Sequence, residues 1–201
     1  MIFLSRIKRA VVSSVLFVLI LLSLSRCDYS TKIISSADSP DIVFSDFISA
    51  LKEKNFDRAD FFLAYDATIK PVNETGYVFF DDYVDASLIL LDYELIGKPE
   101  INGTDATLNV RISSFDKNDF ISWTKNNISQ IEHEYMVDQG LKYLDKEDSK
   151  VIDRILIIAI KKYSETSHSL TSEITVDFVF TKKQWKIAGS DDLIIAIFGG
   201  E

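Results

Sequence analysis

The sequence predicts an α+β fold: one antiparallel sheet of four strands, covered on one face by helices, behind an N-terminal export segment. Three observations predict it. Residues 92–112 and 174–187 each alternate apolar and polar side chains around a tight turn. Two long helical patterns lie between those stretches. An uncharged apolar run follows a basic start. Two hairpins separated by a helical pair combine most simply into a single antiparallel sheet.

Composition narrows function before any element is placed. The 201 residues hold 22 Lys+Arg against 31 Asp+Glu, a formal charge of −9, and 47% are apolar. That apolar share excludes a disordered chain. The acidic balance argues against nucleic acid as a partner. The single cysteine, Cys27, cannot form an internal disulfide or supply a four-cysteine zinc site.

Residues 1–26 read as a signal peptide or signal anchor. Met1–Arg9 carries Arg6, Lys8 and Arg9 and no acid, and Ala10–Ser25 is free of charge. A basic segment before an apolar one is the pattern of export. The uncharged run is 16 residues, shorter than the roughly 20 of a comfortable membrane span. Its positive flank stays cytoplasmic, which sends the rest of the chain outside. Leu24-Ser25-Arg26-Cys27 closes this region. It resembles the lipobox of bacterial lipoproteins, in which a diacylglycerol is attached to the cysteine and cleavage falls just before it. Leu24 and Ser25 match, whereas Arg26 stands where that family prefers Gly, Ala or Ser. Three outcomes fit these residues: a lipid on Cys27, an uncleaved signal anchor, or secretion after Ser23-Leu24-Ser25. Without residues 1–26 the chain holds 18 basic against 31 acidic residues, a charge of −13. Anionic lipid repels such a body, so it needs an anchor to stay at the membrane.

Residues 27–39 are polar and read as a tether. Residues 40–201 form the domain. Ser39 and Pro40 start a helix carrying Val43, Phe44, Phe47, Ile48 and Leu51 at helical spacing. Lys52–Asn55 ends it. Asp57 caps a shorter helix through Ala64, with Phe61 and Phe62 as its apolar face. Asp66–Gly76 is loop, and the second half of Tyr77–Leu91 is helix. Asp92–Gly97 is a short strand, and Asn102-Gly103 signals a hairpin turn. Ala106, Leu108, Val110 and Ile112 then alternate with Thr107, Asn109 and Arg111, a half-buried strand.

Helices follow over Asp119–Leu144 and Lys146–Glu165. The acidic start and basic end of the second complement its dipole. Ile174, Val176, Phe178 and Phe180 alternate again, Thr181–Lys183 turns the chain, and Trp185 and Ile187 continue the pattern. Ser190 caps a last helix, Asp191–Phe198, closed by Gly199-Gly200.

The opening FSDFISALKEKNFDRADFFL and the close TVDFVFTKKQWKIAGSDDLIIAIFGG resemble bacterial lipoproteins that carry a nuclear-transport-factor-2-like (cystatin-like) domain. The resemblance covers about residues 40–198. It implies a curved sheet wrapped by helices into a cone with an open end. The same cone hosts isomerases, dehydratases, binding domains and scaffolds, so it does not fix function.

Chemistry is sparse in this sequence. Enzymes on such a cone need a carboxylate or His in the pocket and a donor for a developing oxyanion. With the apolar sets facing inward, Asn109, Arg111, Thr175 and Asp177 face outward, so the one mid-strand carboxylate points away from any pocket. His133 lies between Glu132 and Glu134 on a helix, where adjacent side chains diverge. His168 lies in a polar loop. No catalytic residue, metal ligand or cofactor site is assigned. Tyr83, Tyr93, Tyr135 and Trp123 read as core. Asp81-Asp82, Asp145 to Asp148 and Asp191-Asp192 lack calcium-loop spacing and read as helix starts or solvated surface.

The expected function is a non-enzymatic module, bound to the extracytoplasmic face of the bacterial membrane, that takes an envelope protein, polymer or ligand. The alternative is a binder of small apolar ligands, or an isomerase-like enzyme, using the cone interior. A homodimer through the outer sheet face would use Thr107, Asn109, Arg111, Thr175 and Asp177.

Overall fold

The computed structural model describes residues 38–65, 67–73, 76–166 and 169–199. The export segment, Cys27, the tether up to residue 37 and His168 lie outside the described residues. Helix α1, Pro40–Lys52, buries Val43, Phe44, Phe47, Ile48 and Leu51, the expected face. Ser39 sits at its N-cap, but the Ser39 hydroxyl donates to the Asp41 carboxylate instead of accepting a helix N–H.

Helix α2, Phe56–Phe61, corrects the sequence reading twice. Its cap is Asn55, whose side chain accepts from the Arg58 N–H at 3.1 Å, and Asp57 lies inside the first turn. The helix also stops short of Ala64. The Ile187 N–H donates to the Phe62 carbonyl at 2.8 Å, and the Ala64 N–H donates to the Ile187 carbonyl at 2.8 Å. Pairing with a strand edge satisfies backbone groups that helix continuation would otherwise use. Phe62 is buried, whereas Phe61 is 50% exposed.

Helix α3, Phe80–Leu90, leads directly into β1, Asp92–Asn102. This strand is longer than the sequence suggests, because Gly97 does not end it. Gly97 adopts φ +83° in a bulge between the Ile96↔Asn109 and Glu100↔Thr107 pairs, and the strand resumes beyond. Gly103 turns the chain at φ +65° into β2, Asp105–Ser114. Ala106, Leu108, Val110 and Ile112 are all buried, as their alternation predicts.

Helix α4, Lys117–Asp138, is capped by Asp116, which accepts from the Asp119 N–H at 2.9 Å. It ends well before Leu144. Gly140 takes φ +63° and the Leu141 N–H donates to the Met136 carbonyl at 2.8 Å, a Schellman closure. Helix α5, Ser149–Ser164, starts at an Asp148 cap and has Lys161 and Lys162 in its last turn. Strands β3, Leu170–Thr181, and β4, Gln184–Ile187, follow. Helix α6, Asp191–Phe198, has the predicted ends: Ser190 accepts from the Leu193 N–H, and Gly199 closes it at φ +65°.

The four strands run β1-β2-β3-β4, every neighbour antiparallel. Leu108 faces Val176 and Val110 faces Ile174, which puts both apolar sets on one face. Helices α1 and α6 cover that face, α3 packs against both, α5 packs on α3, and α4 packs chiefly on α5. The fold is therefore the α+β class expected, with an open four-stranded sheet. A second cluster joins the helices: Phe115, Ile160 and Tyr163 pack with Tyr83, Phe120 and Trp123.

Candidate functional site

The space between sheet and helices is filled. Phe44, Phe47, Leu108, Ile112, Phe178 and Ile187 are each at most 2% exposed there. An open groove of about 400 Å³ lies instead between the chain after α2 and the start of α6. Its floor is Leu63, Ile69, Leu193 and Ile194, and its polar rim is Thr68, Ser190 and Asp191.

Local hydrogen bonds shape the groove walls. The Asp60 carboxylate accepts from the Thr68 hydroxyl and from the Ile69 N–H, each at 2.7 Å. Those two bonds fix the strip from 67 to 69. Opposite, Ser190 holds the first turn of α6. Gly189 lies beside Ala67, where an added Cβ would sit 3.6 Å from the Ala67 Cβ. Among the described residues Asp191 is the one carboxylate in the lining, and no histidine lines it. Such a groove suits an apolar group with a hydrogen-bonding or cationic end.

The residues singled out in the sequence are scattered. Asp177 is exposed on the outer face of the sheet, as its register requires. His133 is exposed on α4, and its neighbours are engaged elsewhere: Glu132 pairs with Lys146 at 2.7 Å and Glu134 with Lys162. The acid pairs serve helix starts. Asp81 and Asp82 lie in the first turn of α3, Asp191 and Asp192 in that of α6, and Asp148 caps α5. Among the described residues no cluster could hold a metal ion. No described helix is long and apolar enough to cross a membrane.

The aromatic residues pack as expected. Tyr83 and Trp123 flank the cluster around Tyr163, Tyr93 meets Phe44 edge-on at 5.6 Å, and Tyr135 packs between α4 and α5. On the outer sheet face, Arg111 bridges Glu94 and Glu173, and the Thr175 hydroxyl donates to Asn109 at 2.7 Å. Those five side chains satisfy one another on that face.

Two buried polar side chains stand out. The Tyr163 hydroxyl donates to the Asp119 carboxylate at 2.9 Å, with the Asp116 carbonyl at 3.2 Å. Burial, and then the Asp119 bond, push its pKa well above the ordinary tyrosine value. Lys186 is 9% exposed, donates to the Phe61 carbonyl and lies 3.8 Å from the centre of the Phe61 ring. Burial, and then the nearby Lys182, lower its pKa.

One departure concerns the far end of the sheet. Phe180 and Trp185 were expected inside, as continuations of the apolar alternation. They do lie on the inner face, paired at 5.2 Å, but Phe180 is 37% exposed and Trp185 half-buried. The alternation runs on to where the inner face is only partly covered, and the Lys182-Lys183 turn beside it is the signal in the sequence that solvent begins there. The groove was also missed. It depends on Thr68 and Asp191 meeting across 123 positions of sequence, for which no spacing rule exists.

No protein-family model matches this chain, and no curated protein matches it. Among solved structures it is similar to a candidate lipoprotein of Bacillus subtilis. The identity is 15%, the TM-score 0.41, and the match covers 86% of this chain. It covers 51% of the other, so this chain spans about half the length of that protein.

Proposed function

We propose that this protein is an exported lipoprotein-like module, held at the extracytoplasmic face of a bacterial membrane through Cys27, that binds an envelope partner or ligand and performs no chemistry of its own. The N-terminal residues carry the attachment: Arg6, Lys8 and Arg9, then an uncharged run, then the lone cysteine. The domain reading is nuclear-transport-factor-2-like. It is supported by the order of elements and by the Asn55-Phe56-Asp57 start of α2.

The groove is the observation that supports binding. It has an apolar floor and a carboxylate rim, while the interior behind it is packed solid. Intact mass of the membrane fraction tests the attachment. Wild type should lack residues 1–26 and gain the mass of a lipid, and Cys27→Ala should do neither. An unchanged anchor in the mutant rejects lipidation and favours the uncleaved helix.

A second reading is a carrier of small apolar ligands, favoured by Leu63, Ile69, Leu193 and Ile194 lining the same groove. Chemical shifts of those four methyl-bearing residues, followed during titration with fatty acid or steroid, separate the two. A homodimer through the outer sheet face remains a proposal tested by sedimentation of the chain from residue 28.

A further inference from the structure

We infer that the turn end of the sheet docks on an anionic lipid surface and sets the orientation of the domain at the membrane; this rests on the membrane attachment proposed above. At that end the inner sheet face is not covered. Ile101 is 58% exposed, Phe180 is 37% exposed, and Trp185 stacks edge-on against Phe180. Phe180 and Trp185 form one cross-strand pair, and Ile101 lies on the same face through its pair with Ala106 and then Phe178. Lys182 and Lys183, both exposed, form the turn immediately beyond. Exposed aromatic rings beside lysines fit the boundary between headgroups and acyl chains, where rings lie flat and ammonium groups reach phosphate.

Charge separates this end from the rest. Residues 98–105 and 180–187 expose Lys98, Lys182 and Lys183 against Glu100 and Asp105, a balance of +1, while Lys186 is buried on the outer sheet face. Residues 38–199 as a whole hold 17 basic and 29 acidic residues, a balance of −12. Glu100 and Asp105 belong to the outer sheet face, away from the aromatic pair. An anionic surface therefore repels the body and attracts this end, so a tethered domain turns it downward. The linkage permits that turn. By residue count alone, residues 28–37 can span at most about 35 Å, comparable with the diameter of a domain of this size. A domain on so long a tether can present any face, and charge then selects one.

The test uses the full chain in phosphatidylglycerol-rich vesicles, with and without brominated acyl chains. Flotation reports attachment, and quenching of tryptophan emission reports docking. Trp123→Phe leaves Trp185 as the only reporter, and its emission should be quenched by bromolipid. Trp185→Phe in the otherwise native chain should lose that quenching, which covers the case in which the first variant does not fold. Lys182→Asn with Lys183→Gly should lower the docked-to-undocked ratio roughly thirtyfold, about fivefold for each lysine near the surface. Raised salt should act in the same direction. A chain that floats while Trp185 stays unquenched overturns docking and leaves the attachment standing. A chain that does not float overturns both. Quenching that persists in the lysine variant, or equals that in phosphatidylcholine vesicles, overturns the charge basis. Shielding of Trp185 that depends on protein concentration without lipid assigns the patch to a second copy instead.

Discussion

Gly199 has its α-carbon against the carbonyl of Phe115, so close that a Cβ at 199 would overlap the Phe115 oxygen. Gly199 also takes φ +65° to close α6, and its N–H donates to the Ile195 carbonyl at 2.8 Å. Both demands exclude a side chain, and Phe115 is backbone that cannot swing aside. Gly199→Ala should therefore cost at least about 3 kcal/mol, the strain of a left-handed residue plus a clash. Urea denaturation of the chain from residue 28 measures it. A loss under about 1 kcal/mol would mean that the last helix can separate from the end of β2.

Tyr163→Phe keeps the ring among Phe115, Phe120 and Trp123 and removes only the donor to Asp119. The expected loss at neutral pH is about 1–2 kcal/mol. The pH dependence has a definite sign. The folded pKa of Tyr163 is raised, so the folded state holds its proton where the unfolded chain has lost it. That stability is complete below the unfolded value of about 10 and is lost as pH rises beyond it. The gap between wild type and Tyr163→Phe should narrow in that window. A gap that stays constant would show that the hydroxyl does not titrate differently on folding.

Lys186→Met keeps the apolar stem packed and removes a desolvated ammonium. Burial first, and then the nearby Lys182, hold the pKa of Lys186 below its ordinary value, so its ammonium is less favoured in the fold than in water. Below its folded pKa the native state carries that penalty in full, and the penalty fades as pH rises to the ordinary lysine value. The substitution should stabilise by roughly 0.5 kcal/mol at neutral pH, with the difference shrinking in alkali. The Phe61 carbonyl belongs to a half-exposed residue, so water can take over its bond. A loss of stability would show that the bond to Phe61 and the ring contact dominate.

The β3–β4 turn holds Lys182 and Lys183 at φ +49° and +67°. Two-residue hairpin turns of that shape favour Asn followed by Gly. Lys182→Asn with Lys183→Gly should raise stability by about 1 kcal/mol. The same pair weakens lipid docking roughly thirtyfold in the proposal above, so weaker docking with gain of stability separates function from folding.

What was legible in the sequence follows a physical line. Elements set by local chemistry could be read: Pro40 at a helix start, Ser190 and Gly199 around α6, and the strict alternation of Ala106, Leu108, Val110 and Ile112. Elements set by tertiary contact could not. Helix α2 stops at Phe61 because Ile187, 126 positions on, takes its next backbone groups. Strand β1 passes Gly97 because β2 offers a partner beyond the bulge. Alternation gave the inner face of Phe180 and Trp185 correctly. It could not show that Phe180 and Trp185 would stay partly exposed, because the extent of a cover belongs to another part of the chain.

Asp60 links the groove to the fold through two bonds made by one carboxylate. It lies in the last turn of α2 and accepts from both the Thr68 hydroxyl and the Ile69 N–H. Asp60→Ala leaves the 67–69 strip without its fastening, while Ile69 still buries its side chain. Global stability should fall by about 1–2 kcal/mol. Hydrogen exchange at Ile69 should rise by more than that global loss explains, because the strip opens locally. Thr68→Val removes only the first bond and should have the smaller effect. Equal exchange in both variants would show that Ile69 burial alone shapes the groove wall, and Asp60 would then have no part in presenting it.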